Sequence, residues 1–289
     1  MDTFQFKEMT LTWLEGGTTR LDGGAMFGVV PKPVWQRKYP FNEKNQIELP
    51  TDPILIQYQG KNLLIDTGVG NNKFSEKEKQ IFGVDRESEI DASLAELNLT
   101  TSDIDYVLMT HMHFDHATGL TIPNESGEFE SVFKNAQIYV QEIEWDETKN
   151  PNMRSKSTYW VRNWEAIESQ VKTFTDQVEI MPSIKMMHTG GHSQGHSVIL
   201  LEQEGDVMVH MADLMPTHAH QNPLWVLAYD DYPMTSIFKK DELLKNGYAN
   251  NYHFFFYHDA FYRVIQWDKE GKEKVNVLKR GREPYISLK

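Results

Sequence analysis

Four side chains that can bind a metal ion lie within six residues of one another, at His111, His113, Asp115 and His116. Imidazole and carboxylate groups crowded in this way repel one another when charged and lose their hydration when buried, unless a cation pairs with them. The cluster therefore has little structural use without such a cation. We predict that residues 111–116 bind a metal ion.

Three further residues of the same chemical types occupy positions that suit a shared site. His192 lies in the glycine-rich segment TGGHSQGH, whose glycines permit tight turns and a close approach of backbone to a metal. Asp213 follows the apolar run 207–209, and His258 follows the apolar run 254–257. Strands of α/β folds present functional groups at their carboxyl ends. We therefore expect Asp213 and His258 to contribute to the same chemistry.

The composition limits both the metal donors and the partners. None of the 289 residues is cysteine, which excludes disulfides, thiolate nucleophiles and thiolate ligands. Zinc fits the remaining nitrogen and oxygen donors best, and manganese, cobalt and iron accept the same donors. The formal net charge of -13 argues against nucleic acid as a partner, because phosphate binding needs a positive surface.

The chain also shows no sign of membrane insertion or export. No apolar run approaches the length that spans a membrane, and the N-terminal residues lack the basic-then-apolar order of a signal peptide. We expect a cytoplasmic protein, monomeric or homodimeric, that binds no membrane. We also expect one domain over residues 1–289, with an extended N-terminal loop region over about 15–50.

Alternating strand and helix patterns predict the elements that must position these residues, in an α/β fold with largely buried sheets. Two hairpins are expected, over 53–68 with a turn at 59–62 and over 197–210 with a turn at 204–206. Further strands are expected at 105–110, 137–140, 178–181 and 253–257, and helices at 89–97, 159–171 and 234–244.

The order and spacing of the candidate ligands resemble the signature of the metallo-β-lactamase superfamily: HxHxDH, a histidine in a glycine-rich loop, an aspartate and a last histidine. The resemblance covers nearly the whole chain. It implies a four-layer αββα sandwich with two mixed sheets. It further implies two divalent metal ions, one bound by His111, His113 and His192, the other by Asp115, His116 and His258, with Asp213 bridging both.

The resemblance also implies a mechanism. A metal-bridging hydroxide is the nucleophile, since two cations lower the pKa of a shared water. Asp213 offsets the repulsion between the metals, and Asp115 carries a proton to the leaving group, so both are candidate catalytic residues. Asp66, in the segment LIDTG, resembles the family's early aspartate, which holds a ligand imidazole in the correct tautomer.

The segment 21–31 resembles the N-terminal region of YtnP-type quorum-quenching lactonases, which are related to methyl parathion hydrolase. This similarity implies that the substrate is an N-acyl-homoserine lactone, whose ring is opened. The best-known lactonases of this kind carry a tyrosine three residues after the bridging aspartate, and here that position is Pro216. Tyr229, Tyr232 and His218 are candidates for the missing donor.

Other assignments remain open from the sequence. The same fold also carries phosphotriesterases and arylesterases, as well as iron-dependent persulfide dioxygenases, and a non-catalytic binding module is a further alternative. His196 and His218 are candidates for supporting the site or contacting the substrate. Phe27 and Trp35 are candidates for lining an acyl-chain pocket, with core packing or a dimer contact as alternatives.

Overall fold

The computed structural model describes residues 1–286 and divides the chain into two compact units. Unit 1 comprises residues 1–19 and 50–175, and unit 2 comprises residues 20–49 and those from 176 onward. The strands of the described residues are β1 (Asp2–Phe6), β2 (Met9–Trp13), β3 (Thr18–Asp22), β4 (Gln46–Pro50), β5 (Ile54–Tyr58), β6 (Lys61–Ile65), β7 (Tyr106–Leu108), β8 (Thr121–Pro123), β9 (Phe129–Ser131), β10 (Gln137–Gln141), β11 (Val171–Phe174), β12 (Gln177–Met181), β13 (Ile184–His188), β14 (Ser197–Gln203), β15 (Asp206–His210), β16 (His253–Phe255), β17 (Tyr262–Trp267) and β18 (Lys274–Lys279).

The α-helices are mostly short. They are α1 (Gly23–Phe27), α2 (Lys32–Trp35), α3 (Glu76–Phe82), α4 (Ile90–Glu96), α5 (Phe114–Ala117), α6 (Glu142–Lys149), α7 (Val161–Trp164) and α8 (Pro233–Ala249). Short 3-10 turns occupy Thr101–Asp103, Thr118–Leu120, Ser155–Ser157, Glu165–Gln170, Ala212–Leu214 and His218–Gln221. Within residues 1–286, no helix is both long enough and apolar enough to cross a bilayer.

Unit 1 contains a seven-stranded mixed sheet in the order β1-β2-β5-β6-β7-β10-β11. In this order β1, β2, β5 and β6 pair antiparallel with their neighbours, whereas β6, β7, β10 and β11 run parallel to one another. Parallel neighbours end at the same edge of a sheet. The ends of β6 and β7 therefore bring Asp66 and the segment after Met109 to one edge.

A continuous apolar core supports that edge of unit 1. Its buried side chains include Leu55, Leu64, Val107, Met109, Met112 and Ile138. Met109 and Met112 lie on either side of His111, the first histidine of the HxHxDH sequence, and are 0% and 1% exposed. Packing of these two side chains thus fixes the backbone from which the motif projects.

Unit 2 contains a second seven-stranded mixed sheet, in the order β12-β13-β14-β15-β16-β17-β18. All neighbours are antiparallel except β15 and β16, which are parallel. Because β15 and β16 end at the same edge, Asp213 and His258 emerge side by side. The 17-residue helix α8 contributes Leu243 and Leu244 to the core of this unit.

The N-terminal segment, expected to be an extended loop over about 15–50, contains β3, α1, α2 and β4. Strands β3 and β4 form a small two-stranded sheet. Apolar side chains of the segment form a core of unit 2 together with Ala219, Leu227 and Ala260. The members from the segment are Met26, Phe27, Trp35, Tyr39, Ile47 and Leu49.

Both predicted hairpins are present, as β5–β6 and β14–β15. In each, a two-residue turn joins the strands, and both of its residues have positive φ: 49° and 74° at Gln59 and Gly60, and 53° and 85° at Glu204 and Gly205. These are type I′ turns, whose twist matches that of the flanking strands.

The helix expected over 159–171 is wrong for most of its length. Only Val161–Trp164 is α-helical, Glu165–Gln170 forms a 3-10 turn, and β11 begins at Val171. The Gln170 side chain donates hydrogen bonds to the carbonyls of Phe133 and Ala136, at 2.7 and 2.8 Å. These contacts direct the chain into parallel pairing with β10, so tertiary contacts override the helical pattern.

Candidate metal centre

The HxHxDH motif forms a compact turn at the end of β7. The backbone N–H groups of His116 and Ala117 both donate to the His113 carbonyl, at 3.0 and 2.9 Å. His111 and His116 are fully buried, and Asp115 is 7% exposed. The ligand atoms of His111 lie within 4.8 Å of those of His113 and of His116, and those of Asp115 and His116 are equally close. Unit 1 therefore gathers four metal-capable side chains.

Asp66 fixes the orientation of two of these imidazoles. Its Oδ2 lies 2.8 Å from His116 Nδ1, and an ionised carboxylate only accepts, so the imidazole donates. The Thr110 hydroxyl donates to the same Oδ2 at 2.8 Å and lies 3.1 Å from His111 Nδ1. Because that hydroxyl hydrogen is already used, His111 Nδ1 donates to the hydroxyl oxygen. Both rings thus carry their lone pair on Nε2.

Asp66 holds this position at a conformational cost. Its φ is 54°, a region that few residues other than glycine adopt. Its Oδ1 also accepts from the Thr110 N–H at 2.8 Å, so three hydrogen bonds stabilise the carboxylate. Strained backbone of this kind is concentrated at functional sites.

Unit 2 brings together His192, Asp213 and His258. The Asp213 carboxylate directs its two oxygens to different rings: Oδ2 lies 3.3 Å from His192 Nε2, and Oδ1 lies 3.5 Å from His258 Nε2. All three side chains are buried. Ala212, directly before the carboxylate, has φ of 44°, a second strained position at the end of a strand. A carboxylate in this arrangement is suited to bridging two cations.

Two neighbouring groups contact the candidate ligands of unit 2. Asp230 Oδ1 lies 2.8 Å from His192 Nδ1, so His192 also carries its lone pair on Nε2. His196 contacts the backbone of the predicted bridging residue, since its Nε2 accepts from the Asp213 N–H at 3.2 Å. Its other ring nitrogen lies 2.8 Å from the Thr189 hydroxyl.

The residues considered for substrate contact lie in different environments. Phe27 and Trp35 are buried and their rings stack with centroids 4.9 Å apart. The Phe27 ring also stacks on the His220 ring, with centroids 4.5 Å apart. His218 is partly exposed, and its Nδ1 lies 2.6 Å from Asp259 Oδ2. Both groups belong to unit 2. Their role in substrate binding stays a prediction.

Two buried acidic residues near the ligands were not predicted from the sequence. They are Asp230 and Glu144, whose Oε1 accepts from the Met112 N–H at 2.7 Å and from the Tyr159 hydroxyl at 2.8 Å. Asp230 lies 38 residues along the chain from His192, and Glu144 lies 32 residues from Met112. No short motif marks either residue, because each has other acidic residues close to it in the sequence.

The donor set fits a divalent metal such as zinc. Metal-binding histidines characteristically donate their second ring N–H to a carboxylate or another oxygen, which raises the basicity of the ligating nitrogen. His111, His116 and His192 all show this arrangement. The oxygen donors are carboxylates, which zinc and similar ions accept alongside imidazole.

Comparisons with known proteins agree with this chemistry. The family model of the metallo-beta-lactamase superfamily matches residues 47–246. A structure described as a probable metal-dependent hydrolase from Staphylococcus aureus has 50% sequence identity and a TM-score of 0.93, over 96% of this chain and 99% of that chain.

Lactonases are more distant relatives. An N-acyl homoserine lactonase of Bacillus cereus is 27% identical over 175 residues, 57% of this chain and 63% of the lactonase. The chain thus spans less than two thirds of the length of that relative. The dizinc quorum-quenching lactonase AidC, solved with a homoserine product, has a TM-score of 0.77 at 17% identity, over 98% of both chains. At that identity the similarity shows the fold.

The match of the family model covers well over half of the chain, and its limits include the HxHxDH motif, His192 and Asp213. The predicted α/β fold with two mixed sheets is confirmed. This chain belongs to the metallo-β-lactamase superfamily and has the fold of its metal-dependent hydrolases.

Proposed function

We propose that this protein is a dinuclear metal-dependent hydrolase that opens the lactone ring of N-acyl-homoserine lactones. The orientation of three imidazoles carries the metal-dependent part of the proposal. In His111, His116 and His192 an oxygen acceptor holds Nδ1, which leaves Nε2 as the ligand atom. The proposed ligands of the first ion are His111, His113 and His192, and those of the second are Asp115, His116 and His258, with Asp213 shared.

The geometry of Asp213 supports two ions rather than one. Each carboxylate oxygen lies near a different imidazole, and the two imidazoles belong to different proposed ions. Each oxygen can then take one ion, as a bridging carboxylate does. Zinc is the proposed metal, and manganese, cobalt or iron would suit the same donors.

Bound divalent ions would supply a water activated near neutral pH and positive charge at the substrate carbonyl. Asp115 is buried beside His116 and is the proposed carrier of the proton that the leaving alkoxide takes up. Asp213 holds its place through its own backbone N–H, which donates to His196. Asp66 and Thr110 keep two ligand rings in the tautomer that binds metal.

The choice of a lactone as the proposed substrate is supported by the relatives at 25–27% identity, which are N-acyl homoserine lactonases. One observation favours a second substrate class. Pro216 stands where the best-known lactonases have a tyrosine, and a proline cannot donate a hydrogen bond to the substrate carbonyl. A phosphotriester or aryl ester is therefore the alternative substrate.

A substrate panel tests the proposal. The metal-loaded protein is assayed with N-acyl-homoserine lactones of several chain lengths, aryl esters and phosphotriesters, and kcat/KM is compared. We expect the highest value for a lactone, with a product heavier by one water and one proton released per ring opened. Asp213→Asn should lose this activity, and Asp241→Asn, which changes a partly exposed residue paired with Lys245, should keep it.

The outcome separates the two substrate classes. A lactone kcat/KM below that of the esters or triesters would overturn the lactonase assignment and favour the alternative. Full activity of Asp213→Asn would overturn the metal mechanism itself.

A further inference from the structure

A segment of unit 2 from Trp225 to Tyr232, which we call the 225–232 segment, is attached to the His192 loop at three points. Besides the side-chain contact of Asp230, the Asp231 N–H donates to the His192 carbonyl at 3.0 Å. The Tyr232 N–H donates to the Gly191 carbonyl at 2.9 Å. The backbone on both sides of the His192 ring is therefore tied to the backbone that carries the Asp230 carboxylate.

The contact between the two side chains is shielded from water. The side chains of His192 and Asp230 are 3% and 1% exposed. A charge-assisted hydrogen bond in such surroundings is strong and directional, because no solvent competes for either partner. The His192 ring cannot turn about its χ2 angle without losing this hydrogen bond to Asp230.

Lys240 secures the other end of the 225–232 segment. It lies on α8, is fully buried, and its Nζ donates to the Trp225 carbonyl at 2.7 Å. Burial lowers the pKa of Lys240 to about 7, and the nearby Asp230 charge opposes that shift. The amine therefore anchors the segment to a long helix and adds favourable electrostatic interaction with the carboxylate.

The same helix also supports the His192 loop directly. Gly191 has φ of 102°, and a Cβ atom at this position would lie 2.7 Å from Ser236 Oγ and 2.9 Å from its Cα. The loop and the 225–232 segment thus share α8 as a common support. Neither residue of the pair Asp230 and Lys240 has a part in the mechanism proposed above.

We propose that Asp230 and Lys240 are positioning residues that set the metal affinity of His192: Asp230 through its hydrogen bond to the ring, and Lys240 by fixing the segment that carries Asp230. The inference rests on the proposed function, since it takes His192 as a metal ligand. Loss of such a carboxylate partner typically lowers metal affinity about 10- to 100-fold.

Zinc binding to the full chain tests the inference, with a chelating dye as competitor. We expect Asp230→Ala to lower zinc affinity about 10- to 100-fold and Asp230→Asn to lower it less, because the amide oxygen still accepts from the ring. Lys240→Met should lower it by a smaller factor than Asp230→Ala, because the carboxylate partner of the ring is still present. The matched controls are Asp241→Asn and Lys239→Met, both surface residues of α8.

The visible absorption spectrum of the cobalt-substituted protein gives a second measurement that does not depend on turnover. We expect the spectrum of Asp230→Asn to differ from that of the parent and those of the controls to match it. If Asp230→Ala fails to fold, judged by circular dichroism, Asp230→Asn decides alone.

His192→Ala separates failure of this inference from failure of the proposed function. If His192→Ala loses zinc while both Asp230 variants bind it with parental affinity and spectrum, the positioning role is overturned and the metal site stands. If His192→Ala binds zinc as tightly as the parent, the ligand assignment itself is overturned, and the positioning role with it.

Discussion

Lys73 provides a test of the structure that does not depend on the metal. The side chain is 6% exposed, and its Nζ donates to the Thr118 carbonyl at 2.7 Å and to the Thr121 hydroxyl at 2.6 Å. These two acceptors use the two hydrogens of a neutral amine. Burial, with a smaller contribution from the charge of Arg162, lowers the pKa of Lys73 to about 6. At neutral pH the folded protein therefore holds this amine uncharged.

The sign of the resulting pH dependence follows from the two states. Between pH 6 and 10.5 the unfolded chain keeps a proton on Lys73, whose ordinary pKa is 10.5, while the folded protein does not. A lower pH in this range thus favours unfolding, and stability rises with pH. The slope is about 1.4 kcal/mol per pH unit, so Lys73 alone adds about 2–3 kcal/mol between pH 7 and 9.

Urea denaturation of the parent and Lys73→Met at pH 7, 8 and 9 measures this contribution. Lost hydrogen bonds shift the variant by a constant, whereas the titration makes the parent gain about 2–3 kcal/mol over the variant from pH 7 to 9. Lys77→Met, at an exposed position of α3, should track the parent at every pH. A parent-to-Lys73→Met difference that stays constant across this range would refute a neutral buried amine.

Three further predictions concern residues around the candidate site. Burial lowers the pKa of His220 to about 3, so on acidification to pH 4.5 only the unfolded chain takes up a proton at this residue. In urea titrations from pH 6.5 to 4.5, the free energy of unfolding of the parent should therefore fall by about 2–3 kcal/mol more than that of His220→Gln. Gly119→Ala places a Cβ atom 1.9 Å from a backbone carbonyl oxygen and should lower the free energy of unfolding by about 3 kcal/mol or more. Gly127→Ala, whose Cβ atom would have nothing within 4 Å, should lower it by about 1 kcal/mol. Thermal unfolding measures both. Glu144→Ala removes the acceptor of the buried Met112 N–H and should destabilise the protein by about 2–3 kcal/mol. Tyr159→Phe removes one donor to the same carboxylate and should cost about 1 kcal/mol. Equal values would contradict the assigned hydrogen bonds.

The parts of the fold that the sequence predicted well have local causes. The hairpins at 53–68 and 197–210 each contain a turn with a glycine at its second position, Gly60 or Gly205, so a few positions identify each of them. The helix α4 follows from its apolar spacing, and the observed Ile90–Glu96 lies inside the predicted 89–97. In each case the signal lies within about a dozen residues.

Other elements were missed or wrong. Strands β1, β2, β13, β17 and β18 were not predicted, although the sequences DTFQF of β1 and MTLTW of β2 alternate polar and apolar residues. The segment 165–170 forms a 3-10 turn because Gln170 reaches carbonyls about 35 residues away. Propensity within a window contains no information about such contacts.

The candidate site shows the same division. The HxHxDH motif is local, and the seven proposed ligands could be named from their spacing and the family resemblance. Asp66 was named on the resemblance alone, and the structure places it on His116. Asp230 was not named, because its relation to His192 arises only when the 225–232 segment folds back on the glycine-rich loop.

Titration of metal into the metal-free protein, with lactone hydrolysis followed at each addition, tests the dinuclear mechanism. We expect no hydrolysis of an N-acyl-homoserine lactone without metal, and a rate that rises until two equivalents of zinc are bound per chain. We also expect Asp213→Ala neither to bind the second equivalent nor to turn over the lactone. Full lactone hydrolysis without metal, or saturation of the rate at one equivalent, would contradict the dinuclear mechanism.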